Sequence, residues 1–243
     1  MPKILKMIDK GDSYTTQKED IFNLPMRILA IGKTGAGKSS SCLGNFLLRP
    51  SFYKNDFKPE NIFIFSGSLE GDLKLKTIIN QLEIPEENLF DNFDEEIGHE
   101  IYDSLVENYN EKVENDKIPD NSLFVFDDLG FTNLQNKNSK NSILDKLFSN
   151  GRKYLISTIT LNQRASQLNT NAREQANGIM LWKSSTSQLE LLERSFNYLQ
   201  DKKSFFNMVR SHTRNNHDFI VIDMNDKNMY KDMDFKPIEN LDY

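Results

Sequence analysis

A chain of 243 residues with 37% hydrophobic and 27% charged side chains is large enough for one α/β domain with a substantial core. Its single cysteine, Cys42, excludes an intrachain disulfide, and no apolar run approaches the roughly 18 residues that a membrane-crossing helix needs. The net charge of −6 excludes a uniformly basic nucleic-acid binder, but the charge is segregated: residues 83–120 hold 14 acidic and 2 basic side chains, which leaves the rest of the chain at +6.

In chain order, residues 1–24 form a polar lead-in, expected to pack on a sheet edge. Residues 1–20 are punctuated by charge and lack an apolar centre, which predicts no secretory signal. An apolar run at 27–31 predicts the first strand. It ends in Gly32-Lys33-Thr34-Gly35-Ala36-Gly37-Lys38-Ser39, a complete match to G-x-x-x-x-G-K-[ST], and a helix is expected over 38–48. Strand, glycine-rich turn and helix N-terminus are what phosphate binding requires. Glycines let backbone N–H groups turn inward around phosphate oxygens, and the helix end adds partial positive charge. Lys38 is expected to reach the β- and γ-phosphates of a nucleoside triphosphate. Ser39 is expected to join the Mg²⁺ shell, with Ser40 closing the loop. Cys42, just inside that helix, reads as a buried packing residue.

A second strand is predicted at 61–65. The acidic run that follows reads as the solvated face of a helix, because Ile97, Ile101, Leu105 and Tyr109 recur every four residues. The next strand, 123–126, delivers Asp127 and Asp128 at its end. A buried strand ending in an acid beside a phosphate loop suits a Mg²⁺ ligand, assigned to Asp127, while Asp128 is placed to orient or deprotonate the attacking water. Residues 133–142 are polar and predict a mobile loop. Lys137, Lys140 and Lys146 make one basic group there that could face DNA. Ile143, Leu144, Leu147 and Phe148 predict a helix, and 154–160 a strand that runs on to Asn162 and Gln163. An amide there can contact the γ-phosphate or hold the water; Gln163 is the first choice and Asn162 the alternative.

Further strands are predicted at 178–182 and 219–223, with a helix over 186–196 between them. Lys202, Lys203, Arg210 and Arg214, with His212 and His217, form a second basic stretch interleaved with Phe205 and Phe206. His99, His212 and His217 show no metal-like grouping. Residues 224–243 are left as an arm or an extra edge. Alternating strands and helices predict an α/β fold, a mainly parallel sheet with helices on both faces. The expected organisation is a lead-in at 1–24, a nucleotide-binding domain at 25–223 and an arm at 224–243.

The motifs G-K-T-G-A-G-K-S, L-F-V-F-D-D, L-F-S-N-G-R-K-Y-L-I-S and T-L-N-Q, followed by N-A-R-E-Q-A-N, resemble the FtsK/HerA superfamily of ring-forming DNA-pumping ATPases. The likeness is to the poxvirus-type genome-packaging ATPases of large DNA viruses and virophages, over about residues 26–182. It implies a P-loop NTPase fold of the RecA/ASCE type, ATP and Mg²⁺ as cofactors, and a homo-oligomeric ring acting on double-stranded DNA. It also implies capsid or portal-type viral partners, no membrane, and a place in the host cytoplasm at the viral factory or on the virion. By that resemblance Gln163 is the γ-phosphate sensor. A trans-acting arginine falls on Arg152, with Arg173 as second choice. The second acid is often Glu in that family; here it is Asp128, one methylene shorter. No DNA-end-cutting domain is visible.

Other P-loop classes fit less well. A switch GTPase needs an Asn-Lys-x-Asp guanine reader, which the stretch from Thr160 to Gln163 does not supply. A small-molecule or nucleoside kinase would need no trans arginine and no ring. No Leu-Ser-Gly-Gly-Gln-like signature marks an ABC-type transporter.

Overall fold

Strands buried on both faces need a hydrogen-bonded neighbour at each edge and a helical layer on each face. In the computed structural model, which describes residues 14–129 and 142–241, this requirement is met by one eight-stranded sheet. The elements follow in chain order: β1 (Arg27–Ile31), a π-helical turn (Ser39–Gly44) running into α1 (Asn45–Leu48), β2 (Ile62–Ser66), α2 (Leu73–Leu82), β3 (Leu89–Phe90), α3 (Glu95–Glu114) and β4 (Ser122–Asp127). They continue with α4 (Ile143–Asn150), β5 (Ile156–Asn162), α5 (Thr170–Gln175), β6 (Gly178–Trp182), α6 (Thr186–Phe196), α7 (Lys202–His212), β7 (Phe219–Asp223) and β8 (Tyr230–Lys231).

The strand order is β3-β2-β4-β5-β1-β6-β7-β8. The first six are mutually parallel, and β7 and β8 extend the sheet by antiparallel pairing. Strand alternation sorts side chains to two faces. Leu29, Ile31, Phe124 and Phe126 pack with residues of α4, α6 and α7, while Ile28, Ala30, Leu123 and Val125 pack with the helix after the phosphate loop and with α2. The expected α/β layering is observed.

Three local differences have physical causes. The fifth strand starts at Ile156 rather than residue 154, because Gly151–Tyr154 forms a 3₁₀ turn closed by Leu155 in the left-handed region (φ 56°). It therefore runs through Asn162, up to the sensor amide. Helices α2 and α7 were not expected. Each is capped by an aspartate: Asp72 accepts from Lys74 N and Leu75 N, and Asp201 accepts from Ser204 N. Their apolar stripes are short, Leu75, Ile78 and Ile79 in α2 and Phe205, Phe206, Met208 and Val209 in α7. The two aromatic rings expected within a basic surface are thus core residues.

Both ends of the described chain are tied to the core. Phe22 packs edge-on against Phe46 and Phe235 at 6.2 and 6.1 Å, and Tyr53 OH donates to Phe22 O at 2.7 Å. Lys231 in β8 is fully buried; its Nζ lies 2.8 Å from Asp226 and 3.7 Å from Asp223, and donates to Asp20 O at 3.0 Å. On the opposite wing, Phe63, Phe65, Phe124 and Phe126 form a file of rings between β2 and β4. Phe124 touches three of them at centroid distances of 5.5–6.2 Å. Phe124→Ala empties the centre of that file and is expected to cost about 3–5 kcal/mol. Urea unfolding of the two proteins measures it, and a cost below about 1 kcal/mol would contradict this packing.

Candidate nucleotide-hydrolysis site

The parallel register sets the site. Ile31 pairs with Asn162 of β5 and Leu181 of β6, and Asp127 pairs with Leu161. Everything that follows these residues emerges at one edge of the sheet: the phosphate loop after β1, Asp128 after β4 and Gln163 after β5. A cleft of about 510 Å³ collects them, lined by loop residues from Thr34 to Ser40 together with Asp127, Asp128, Leu161 and Gln163.

The loop's glycines act for different reasons. Gly35 and Gly37 have φ of 76° and 94°, which a side chain would strain. Gly32 has no such angle, but a Cβ there would meet Trp182 Cβ at 2.8 Å, so β6 forbids a side chain. Lys38 Nζ donates to Gly32 O at 2.7 Å and Lys33 O at 3.2 Å, folding back across the loop. Burial lowers the Lys38 pKa, while Asp127 and Asp128 act to raise it. Ser39 and Ser40 open the helical turn at the cleft. Cys42 is fully buried, and burial pushes its thiol pKa well up, as its packing role requires.

Asp127 is 5% exposed and its pKa is pushed up to about 6, first by burial and then by Asp128 and Asp72, against the pull of Lys38. A divalent cation would relieve both burial and like-charge crowding. Among the described residues there is no group of three or more His, Cys, Asp or Glu that could hold a metal. Ser39 and Asp127 both line the cleft, and two such oxygen donors fit an ion that takes its remaining ligands from nucleotide and water oxygens. Asp128 has a left-handed backbone (φ 49°), tolerable for an aspartate. Gln163 Nε2 donates to its Oδ1 at 3.1 Å. Of the two acids expected from sequence, Asp128 is thus in contact with the Gln163 amide, and Asp127 lines the same cleft.

The turn after Gln163 is held from several sides. Gln167 Oε1 accepts from Gln163 N at 2.8 Å and Arg164 N at 2.9 Å, and Gln188 Oε1 of α6 accepts from Ala165 N at 2.8 Å. The Arg173 guanidinium donates to the carbonyls of Ala165 and Leu168 and to Thr170 Oγ1. Burial lowers the Arg173 pKa, while Glu174 acts to raise it. Asn162, the alternative sensor, is 8% exposed on the opposite sheet face, and its Nδ2 has no hydrogen-bond partner among the described residues.

Arg152 lies elsewhere. It sits exposed in the turn before β5, near Arg27, whose pKa is lowered by burial and then by Arg152. That is the opposite end of the sheet from Gln163, about 20 Å along β5 at 3.3 Å per residue. Lys137 and Lys140 lie outside the described residues. Lys146 is engaged, 3.2 Å from Asp103 and over the Tyr102 ring. The sequence reading missed Ser68, Asp72, Leu73 and Lys74, which line the cleft from the start of α2. The signal was present: an Asp followed by a helical apolar stripe. His217, expected as part of a basic stretch, lies instead with its Nδ1 3.2 Å from Ala36 O in the phosphate loop.

A phosphate loop at the end of β1, paired acids at the end of β4 and an amide just beyond the intervening β5 define a P-loop nucleoside triphosphatase. Within that class, the model of the poxvirus A32 protein family matches residues 87–233, more than half of the chain, and the chain belongs to that family. The matched segment holds Asp127, Asp128, Arg152, Gln163 and Arg173, and begins after the phosphate loop. No curated protein matches the chain. Among solved structures, the genome-packaging NTPase B204 of Sulfolobus turreted icosahedral virus 2, in complex with AMP, is similar at 14% identity and a TM-score of 0.60, over 88% of this chain and 98% of that one. B204 of Sulfolobus turreted icosahedral virus, described as a DNA-packaging ATPase, is similar at 16% identity and a TM-score of 0.54, over 87% and 97%. EssC (ATPases 2 and 3) of Geobacillus thermodenitrificans shares 17% identity with a TM-score of 0.51, covering 72% of this chain and 34% of that one.

The raised Asp127 pKa has a signed consequence. An unfolded aspartate ionises near 3.8 and the folded one near 6, so between these values the unfolded state binds fewer protons. Stability of the protein without nucleotide or metal therefore falls as pH rises from about 4 to about 6, by up to about 3 kcal/mol. Asp127→Asn is expected to remove this loss, so the stability difference between variant and wild type grows over that window. Urea titrations at a series of pH values measure it; a pH-independent difference would contradict the assignment.

Proposed function

We propose that this chain is the ATP-hydrolysing motor that packages viral genomic DNA, working as a homo-oligomeric ring with Mg²⁺. The observation that carries the hydrolytic reading is the 3.1 Å contact between Gln163 and Asp128 at the rim of the phosphate-loop cleft. Membership of the A32 family and likeness to B204, a genome-packaging NTPase, support the biological task. No helix among the described residues is long and apolar enough to cross a membrane.

In this reading, loop N–H groups and Lys38 hold the β- and γ-phosphates of ATP. Ser39 and Asp127 are the residues that would hold Mg²⁺, which when bound neutralises phosphate charge. Asp128 takes the proton of the attacking water, with its carboxylate accepting a hydrogen bond from Gln163. Gln163, hydrogen-bonded to that base, senses whether the γ-phosphate is present. Arg152 is too far from its own cleft and is exposed, as a residue that completes a neighbour's site must be. The Arg173 guanidinium is already bonded to the turn after Gln163, which supports Arg152 for the trans role. Such an arginine is worth about 10³–10⁵ in rate in GTPases.

The test is ATP turnover with and without duplex DNA, together with the oligomer mass. DNA-stimulated turnover in a ring is expected; a monomer with DNA-independent turnover would contradict the motor. Mixing Lys38→Ala with Arg152→Ala subunits is expected to restore part of the activity that each lacks alone. Co-assembled but inactive mixtures would contradict a shared site.

A further inference from the structure

Beside the nucleotide cleft lies a second groove of about 790 Å³, which shares Thr34 and Gln163 with it and is lined by Lys33, Arg164 and Lys183. These three cations have one origin. Ile31, Asn162 and Leu181 are partners in the register of β1, β5 and β6, and each cation stands two residues beyond its strand's partner. Adjacent strands lie about 4.8 Å apart, so Arg164, Lys33 and Lys183 form a row roughly 10 Å long. The row continues into a smaller pocket of about 400 Å³ that shares Lys183 and Ser184 and adds Arg210 and Arg214.

Neither pocket is lined by any Asp or Glu, whereas the nucleotide cleft holds Asp72, Asp127 and Asp128. None of the five cations pairs with a carboxylate among the described residues. Lys202, at the start of α7, does, 2.8 Å from Glu190. Arg210 donates to Thr186 Oγ1 at 3.0 Å and packs over Phe206, and Lys183 donates weakly to Arg214 O at 3.4 Å. The serine hydroxyls of the groove add donors, and Ser185 forms no side-chain cap on α6, bonding to Ser187 Oγ instead. A surface offering donors and unpaired positive charge in a line suits a ligand that carries acceptors and negative charge in a line.

We propose that this groove is the track that holds the phosphate backbone of duplex DNA, and that its occupancy is felt by the hydrolytic site. This rests on the packaging reading above. Phosphate contacts read no sequence, as a motor that moves along any sequence requires. The coupling is short. Arg164 follows Gln163 directly, and Gln188 lines the groove while its Oε1 holds Ala165 N of the sensor turn. At the other end of the row, His217 in the loop that follows Arg214 touches Ala36 O of the phosphate loop. The chain's own acidic helix, α3, is the less suited occupant in a second copy, since Asp103 is already 3.2 Å from Lys146 and Glu95 accepts from Ile143 N at 2.6 Å.

The test uses the full chain, a short fluorescent duplex of mixed sequence, and the double variants Lys183→Glu/Arg214→Glu and Lys183→Gln/Arg214→Gln. Two lost phosphate contacts are expected to flatten the slope of log affinity against log salt by about two and to weaken binding at moderate salt at least about tenfold. DNA stimulation of ATP turnover is expected to fall with it, while basal turnover and oligomer mass stay at wild-type values. Lys183→Arg/Arg214→Lys is expected to restore duplex binding. Wild-type affinity and slope in both charge-removing variants would overturn the proposal. Loss of oligomer mass with duplex affinity intact would also overturn it and give the groove to a second copy of the chain. A wild-type protein that binds no duplex would overturn the packaging reading as well, which separates the two failures.

Discussion

The site depends on one constraint, the parallel register of β4, β5 and β1. Because these strands run the same way and pair without a bulge, their C-terminal ends reach the same edge together: Asp127 beside Leu161, and Asn162 beside Ile31. The phosphate loop, the paired acids and the Gln163 amide then meet at one cleft. A one-residue slip of β5 would turn Gln163 to the other face of the sheet and break its contact with Asp128. Burial of every residue of β5 between its two neighbours opposes such a slip.

The edge so formed is electrostatically divided. Acids stand at the β4 side and at the start of α2, while the cations that follow β5, β1 and β6 stand on the other. Lys38 crosses the boundary. Its pKa is lowered by burial and supported by Asp127 and Asp128, and the carboxylate of Asp127 is in turn pushed up. The sensor turn carries a different kind of order. Gln167, Gln188 and Arg173 satisfy its backbone groups, so Gln163 is fixed by neighbours on α5 and α6 rather than by its own strand alone.

Much of this was legible in the chain. The eight-residue phosphate loop, the apolar strand ending in Asp127-Asp128 and the strand ending at Gln163 specify the core of the site by residue type and spacing. The length of β5 was misread because Tyr154 and Leu155 look like strand residues, while Gly151 lets a 3₁₀ turn persist through Tyr154. Helices α2 and α7 were missed because their apolar stripes span barely two turns and their charged faces dominate the composition. Phe205 and Phe206 read as an interface for the same reason. The cationic row was invisible because Lys33, Arg164 and Lys183 are far apart in sequence and become neighbours only through strand pairing. The distance between Arg152 and its own cleft is likewise a product of topology.

The most direct measurement of the hydrolytic account is single-turnover cleavage of ATP by Asp128→Asn, followed beside equilibrium nucleotide binding. The substitution keeps the shape and the capacity to bond Gln163 but removes the base. Nucleotide affinity within a few-fold of wild type and a cleavage rate reduced by about 10²–10⁴ are predicted. A variant that binds ATP and cleaves it at the wild-type rate would contradict the assignment of Asp128 and, with it, the mechanism built on its contact with Gln163.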